Sequence, residues 1–104
     1  MKPAIYLLFC TTYKEAEKIR EILLKQRLIA CGGIMNIKHS KYWWKGLIEE
    51  ANNEILLLME SKEENILKME KEIRKHHAHK TFVLHAIPVK TTKDVKKWLK
   101  DELK

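Results

Sequence analysis

The chain has 104 residues, of which 45% are hydrophobic and 34% are charged, and its formal net charge is +7. This length suits one compact domain, so we expect residues 1–104 to form a single domain. No apolar run approaches the roughly 20 residues of a membrane span, and the short apolar N-terminus lacks the length and cleavage site of a secretory signal. We therefore expect a cytoplasmic protein without a membrane partner.

The positive charge is concentrated in the second half of the chain. Residues 1–61 carry 9 basic and 7 acidic residues, whereas residues 62–104 carry 12 and 7. A basic surface can serve an anionic partner such as nucleic acid. However, the lysines form no uninterrupted block and have no aromatic residues interleaved with them. We therefore favour solvated helix faces, and we expect no nucleic-acid partner.

The first predicted elements are a strand and a helix. Residues 4–11 (AIYLLFCT) are apolar and rich in β-forming side chains, which predicts a strand that is buried continuously rather than on alternate residues. Thr12 and Glu15 have the spacing of a capping box, so a helix is predicted to start there. We expect this helix to end near Leu28.

A long hairpin is predicted next. Residues 34–39 alternate in polarity, as in a strand with one wet face, and Lys45-Gly46 predicts a tight turn. The returning strand, residues 47–60, would be about 46 Å long at about 3.3 Å per residue, whereas a domain of this size is about 33 Å across. The hairpin must therefore bend, break or extend beyond the core, with Tyr42, Trp43 and Trp44 at its tip.

The aromatic tip leaves two possibilities open. A bulge could fold the tip back onto the domain. Alternatively, the ribbon pairs with a neighbouring chain, because exposed aromatic residues on an open strand edge would otherwise promote aggregation. In the second case the protein is an obligate oligomer.

A second helix is predicted from another capping-box spacing, that of Ser61 and Glu64. Its inner face is marked by an apolar stripe at helical spacing, formed by Ile66, Met69 and Ile73. The helix runs into the segment KHHAHK, residues 75–80, in which three histidines fall within four residues.

The last two predicted elements are a strand over residues 81–89 and a helix that begins at Thr91, with Trp98 in the core. The resulting order, β-α-β-β-α-β with a C-terminal helix, is that of the ferredoxin-like split βαβ fold, an α+β architecture with an antiparallel sheet. Right-handed crossovers place both crossover helices on one face of the sheet. The expected strand order is 4-1-3-2.

Five segments resemble, in order, the motifs of a known family: TTYKEAEKI, LIACGGI, YWWKGLIEE, HAIPV and KKWL. The third is the most specific, since it is similar to the Tyr-x-Trp-x-Gly-x-Ile segment of the CutA divalent-cation-tolerance proteins. The resemblance covers about residues 5–103. It implies a ferredoxin-like homotrimer whose long hairpins extend sheets across subunits, a role in tolerance of copper and other heavy metals, and no catalytic activity.

The resemblance also implies a metal site. The ligands proposed for that family are a cysteine ending the first strand and a His-His pair ending the second helix, which correspond here to Cys10, His76 and His77. Thiolate and imidazole suit copper, or another borderline divalent cation such as zinc. The chain departs from the family immediately afterwards, where a Pro-Tyr-acidic segment is replaced by Ala78, His79 and Lys80.

The predicted topology is consistent with such a site. In the strand order 4-1-3-2, the end of the first strand lies beside the end of the second helix. This brings Cys10 to the histidines and leaves Cys31 at the opposite end, so we expect two free thiols. On a helix, adjacent side chains point about 100° apart, so His76 and His77 reach one ion only if the helix ends between them; in an extended segment His77 pairs with His79.

A structural role for the same residues stays open. Histidines at a helix C-terminus complement the helix dipole without any ligand, and a free cysteine is often a buried core residue.

Three other functions compete with metal binding. An RNA-recognition sheet carries aromatic residues on its third strand, and the corresponding EILLLM segment has none. A small hydrolase on this fold would need a glycine-rich loop and an arginine after the first strand, where CTTYKEAE has neither. A scaffold similar to the PII signalling proteins, sensing a small ligand in a cleft between subunits, stays open as the main alternative.

Overall fold

The computed structural model describes all residues, 1–104. Its elements are β1 (Pro3–Cys10), α1 (Tyr13–Lys25), β2 (Cys31–Trp44), β3 (Leu47–Lys62), a 3-10 turn (Glu63–Asn65), α2 (Ile66–Arg74), β4 (Leu84–Pro88) and α3 (Lys93–Glu102). The four strands form one antiparallel sheet in the order β2-β3-β1-β4, which confirms the ferredoxin-like split βαβ fold. None of the three α-helices has the length and apolar character required to cross a membrane.

The core lies between one face of the sheet and the helices α1 and α2. Alternate residues of β1 point into it, whereas the residues between them, such as Leu7 and Phe9, are only half-buried. The prediction of a continuously buried β1 is therefore wrong for the single chain. Side chains from α1 and α2, including Ile19, Leu23 and Ile73, belong to the same core cluster. Both crossover helices thus cover one face, as predicted, and the other face is left with half-buried apolar residues.

Helix α1 begins as predicted and ends earlier than predicted. The Thr12 side-chain oxygen accepts a hydrogen bond from the Glu15 N–H at 3.1 Å, as a capping box requires. The helix stops at Lys25 rather than near Leu28, because Arg27 has a φ of 56° in the left-handed region. Leu28 then turns into the core.

The second predicted capping box is wrong. Ser61 is a buried residue of β3, and its hydroxyl donates to the carbonyl oxygen of Leu28 at 2.6 Å. Asn65 donates to the same carbonyl at 3.0 Å and to the Ser61 oxygen at 3.2 Å. Glu64 instead accepts from the backbone N–H of Lys2. The Ser61 oxygen thus accepts from the side chain of Asn65 rather than from a backbone N–H, and neither the 3-10 turn nor α2 has a side-chain cap.

We expect Asn65→Ala to lower the free energy of unfolding by about 2 kcal/mol, because it removes two buried hydrogen bonds and leaves a small cavity. Urea unfolding followed by circular dichroism measures this. The matched control is Glu17→Ala on the exposed face of α1, which should change stability by less than about 0.5 kcal/mol. If the two variants unfold at the same urea concentration, this role of Asn65 is contradicted.

The C-terminal elements also differ in detail from the prediction. Strand β4 begins at Leu84 rather than at residue 81. The cap of α3 is Thr92, whose side-chain oxygen accepts from the Val95 N–H at 3.3 Å, and not Thr91. Trp98 is 37% exposed and is not a core residue. Only one side of the short helix α3 packs against the domain. Leu99 lies on that side and is buried, whereas Trp98 is not.

The β2–β3 hairpin extends beyond the core. Its turn, Lys45-Gly46, has positive φ at both residues, 51° and 81°, as a tight two-residue hairpin turn requires. The register is the same on both sides of Asn53, which has a φ of 58° and is not itself paired with a residue of β2. The longest dimension of the molecule is 44 Å. Trp43 at the tip is 72% exposed, so no bulge folds the tip back.

Candidate metal centre

Three potential metal ligands converge at one end of the domain. Cys10 is the last residue of β1, Glu15 lies in the first turn of α1, and His77 follows the end of α2. A sulfur, a carboxylate oxygen and a ring nitrogen from these residues all lie within 4.8 Å of one another. Ligand atoms around a tetrahedral zinc ion are about 3.5 Å apart, so these three atoms are separated by distances close to those that a bound ion requires.

The Glu15 carboxylate joins two distant segments of the chain. One oxygen accepts a hydrogen bond from the Thr11 N–H at 2.9 Å, and the other accepts from the Ala78 N–H at 2.8 Å. The first oxygen also lies 3.5 Å from the Nε2 atom of His77. The sequence predicted Glu15 only as part of a helix cap, so its place in the site was missed. Its position shortly after the strand-ending Cys10 was the available signal.

The imidazole of His77 is held in one orientation. Its Nε2–H donates to the carbonyl oxygen of Phe9 at 2.8 Å, and its Nδ1 accepts from the His79 N–H at 3.0 Å. The ring stacks on Phe82 with 5.0 Å between centroids, and the guanidinium of Arg74 also lies over Phe82, at 4.7 Å. The His77 side chain is only 2% exposed. Coordination through Nε2 would have to replace the bond to Phe9.

The thiol of Cys10 is buried in an acidic environment. Burial, together with the smaller effect of the carboxylates of Glu15 and Glu54, raises its pKa to about 12. The thiol is therefore protonated at neutral pH. The same carboxylates make the surroundings favourable to a cation, which would compensate the charge of a thiolate.

The structure brings together Cys10 and His77 but leaves His76 outside the group of three ligands. Helix α2 ends at Arg74, before both histidines, and their backbone N–H groups both donate to the carbonyl of Ile73. The side chain of His76 is half-buried. The ring of His79 lies 5.9 Å from that of His77, but the chain bends at Ala78 and is not extended, and His79 is outside the group of three ligands.

The two cysteines are free thiols, as predicted. Cys31 is exposed at the start of β2, where it pairs with Glu60, whereas Cys10 pairs with Ile55 at the other end of the sheet. Cys31 therefore has no access to the group formed by Cys10, Glu15 and His77.

Known proteins share both the sequence and the fold of this chain. The family model described as CutA1 divalent ion tolerance protein matches residues 4–102. The divalent-cation tolerance protein CutA of Archaeoglobus fulgidus is 36% identical over 76 residues, covering 73% of this chain and 72% of that protein. The corresponding protein of Pyrococcus horikoshii is 32% identical over 93 residues, covering 88% and 89%.

Solved structures agree with these relatives. The structure of the periplasmic divalent cation tolerance protein CutA from Archaeoglobus fulgidus superposes with a TM-score of 0.91 at 27% identity, covering 98% of this chain and 99% of that one. CutA1 from Pyrococcus horikoshii superposes with a TM-score of 0.87 at 29% identity, covering 97% and 98%. The chain therefore belongs to the CutA1 divalent ion tolerance protein family.

Proposed function

We propose that this chain is a trimeric, non-catalytic protein of divalent-cation tolerance that binds copper, or a similar cation such as zinc. The observation that carries this proposal is the convergence of Cys10, Glu15 and His77 within 4.8 Å from three separate elements. Family membership supports the role in cation tolerance. A four-coordinate ion needs one more ligand, and the half-buried His76 beside His77 is our candidate for it, with water as the alternative.

The donor set favours a soft or borderline ion. Thiolate and imidazole select copper and zinc over calcium and magnesium, which prefer an all-oxygen shell. Binding requires the Cys10 thiol to lose a proton that it holds with a pKa of about 12. One proton is thus released for each ion bound, and the apparent affinity should rise about tenfold per pH unit around neutrality.

The proposed trimer is supported by the surfaces that a single chain leaves exposed. The sheet face away from the helices carries half-buried apolar residues of β1, such as Leu7, and β2 is a long open edge strand. The hairpin tip adds Trp43 and Ile48, which are 72% and 58% exposed. Exposed apolar residues in this number are typical of a permanent protein–protein interface.

The metal site is tested by calorimetric titration of Zn(II), and of Cu(I) under anaerobic conditions, between pH 6.5 and 8. We expect one ion per chain with micromolar or tighter affinity. Cys10→Ser, Glu15→Gln and His77→Gln should each weaken binding by at least about tenfold, and Cys10→Ser should remove the pH dependence. His76→Gln distinguishes a histidine from water as the fourth ligand.

The matched control for this titration is Cys31→Ser, which removes the exposed thiol and should leave the affinity unchanged. Circular dichroism and thermal unfolding establish that each variant is folded. If Cys10→Ser and His77→Gln bind the ion as tightly as the unaltered protein does, the ion is held nonspecifically by surface histidines. That result would refute the proposed site.

The same titration addresses the alternative of a small-ligand-sensing scaffold. Both ring nitrogens of His77 and both carboxylate oxygens of Glu15 are engaged in hydrogen bonds with the neighbouring backbone, so these two side chains have polar partners without an ion. If no ion binds, this group is a structural clamp, and the functional ligand is to be sought in the clefts between subunits.

We also propose the cytoplasm as the location of this protein. Its exposed free thiol, Cys31, is best preserved in a reducing compartment. The relative from Archaeoglobus fulgidus is described as periplasmic, so cell fractionation of this protein in its own host is the appropriate test.

A further inference from the structure

A groove with a volume of about 780 Å³ lies between the C-terminal part of α1 and the beginning of α2. Four of the eight residues that line it are lysines: Lys25, Lys68, Lys71 and Lys104. None of these four takes part in a salt bridge within 4.0 Å. The groove is therefore lined by four lysines whose ammonium groups have no acidic partner.

The one acidic residue of the groove does not offset these charges. Lys75, from outside the groove, donates to the Glu72 carboxylate at 3.1 Å. Hydrogen bonds from Lys75 and from Gln26 hold the pKa of Glu72 below its usual range, so this carboxylate is ionised and already paired. The four lysines therefore give the groove a positive electrostatic potential.

We propose that this groove binds a small polyanion through a chain of two or more linked phosphate groups. Lysine ammonium groups have three rotatable donors and act as point charges, which suits phosphate oxygens that approach from varied directions. Lys68 and Lys71 are three residues apart on α2, so they lie on neighbouring positions of one helix face, and Lys25 comes from the facing helix. Charges on two opposing walls require a ligand with several anionic groups.

The remaining lining residues indicate which part of the ligand is recognised. They include the apolar Ile22 and Leu28 and the neutral Gln26, and no aromatic side chain on which a base could stack. Recognition should therefore depend on the phosphate chain itself. Inorganic polyphosphate and the triphosphate of a nucleotide are two sources of that chemistry.

The groove is separate from the metal centre and from the proposed subunit interface. Glu15 is at the N-terminal end of α1, whereas Lys25 is at the C-terminal end, about 15 Å away along the helix. The groove is lined by α1, α2 and the segments that follow α1 and α3, whereas the proposed interface is the opposite face of the sheet together with the hairpin. It would thus remain open to solvent in a trimer.

The test is a calorimetric titration with sodium tripolyphosphate at about 50 mM salt, followed by orthophosphate, ATP and UTP under the same conditions. We expect tripolyphosphate to bind at least tenfold more tightly than orthophosphate, and with an affinity that falls as salt is added. The double variant Lys68→Gln/Lys71→Gln should weaken binding about tenfold, since two exposed charge contacts are lost.

The matched control is Lys14→Gln/Lys18→Gln, which removes the same charge from the exposed N-terminal half of α1 and should change the affinity less than about twofold. Equal affinities for ATP, UTP and tripolyphosphate would support recognition of the phosphate chain alone, and tighter binding of both nucleotides would support a nucleotide as its source. The proposal is overturned if tripolyphosphate does not bind, if orthophosphate binds as tightly, or if the control pair loses as much affinity as the groove pair.

Discussion

The double variant Trp43→Ser/Ile48→Ser is expected to convert the proposed trimer into 12.4 kDa monomers. These residues face each other across the hairpin tip and are 72% and 58% exposed in the single chain. Burying two such side chains stabilises an interface by about 4 kcal/mol, and a trimer has three of these interfaces. Because the tip lies outside the core, the monomer itself should remain folded.

Sedimentation velocity at micromolar concentration measures this change, since the unaltered chain should sediment as a species of three chains. Lys45→Asn is the matched control, because it changes the same tip while asparagine tolerates the positive φ of that position. A monomeric mass for the unaltered protein would refute the trimer. A trimeric mass for Trp43→Ser/Ile48→Ser would show that the hairpin tip is not needed for the interface.

The folded chain is expected to lose stability steadily above pH 9. In the folded state the pKa of the Cys10 thiol is raised from 9.0 to about 12, chiefly by burial, and that of the buried Tyr6 phenol from 10.0 to about 12 for the same reason. Each group keeps its proton in the folded state at a pH where the unfolded chain has lost it. Its contribution is thus complete below the unfolded pKa and is lost as pH approaches 12, at about 1.4 kcal/mol per pH unit and group.

Urea unfolding at half-unit steps from pH 8 to 11 separates the two groups. Between pH 9 and 10 the Cys10 thiol contributes most of the decline, because the Tyr6 phenol of the unfolded chain is only half ionised at pH 10. Cys10→Ser should therefore remove most of the decline there, whereas Tyr6→Phe should reduce it by less than half. Above pH 10 the Tyr6→Phe variant should decline at about half the rate of the unaltered chain. A stability that is constant from pH 9 to 10 in the unaltered protein would show that the thiol is not held protonated.

Most of the fold could be predicted because its determinants are local or follow from element order. The Thr12–Glu15 cap, the Lys45-Gly46 turn and the strand order all match the structure. The Ser61 prediction failed because the partner of that hydroxyl, the Leu28 carbonyl, is 33 residues away and invisible to a local pattern. The prediction that Trp98 is a core residue failed for a related reason. The spacing of apolar residues shows which side of α3 is apolar, but it does not show how much of that side the domain covers.

The site was predictable to the extent that strand order determines it. The topology alone placed Cys10 near the end of α2, and the structure brings Cys10 and His77 together. The choice between His76 and His77 depends on the irregular chain path after Arg74, which is set by contacts of His77 with Phe9 and of Glu15 with Ala78. These contacts join residues more than 60 positions apart, so neither helical nor extended periodicity reveals them.

The β2–β3 hairpin has a consequence for the order in which the chain folds. Its strands are joined by only two residues, so they can pair within about 10 microseconds. In contrast, residues of β1 and β3 that pair are at least 45 positions apart in the sequence, as Cys10 and Ile55 are. Closing that larger loop costs more chain entropy and comes later. A folding chain therefore presents its aromatic tip to other chains before its own core is complete. Refolding yield should consequently depend on chain concentration, because correct assembly and premature association use the same surface.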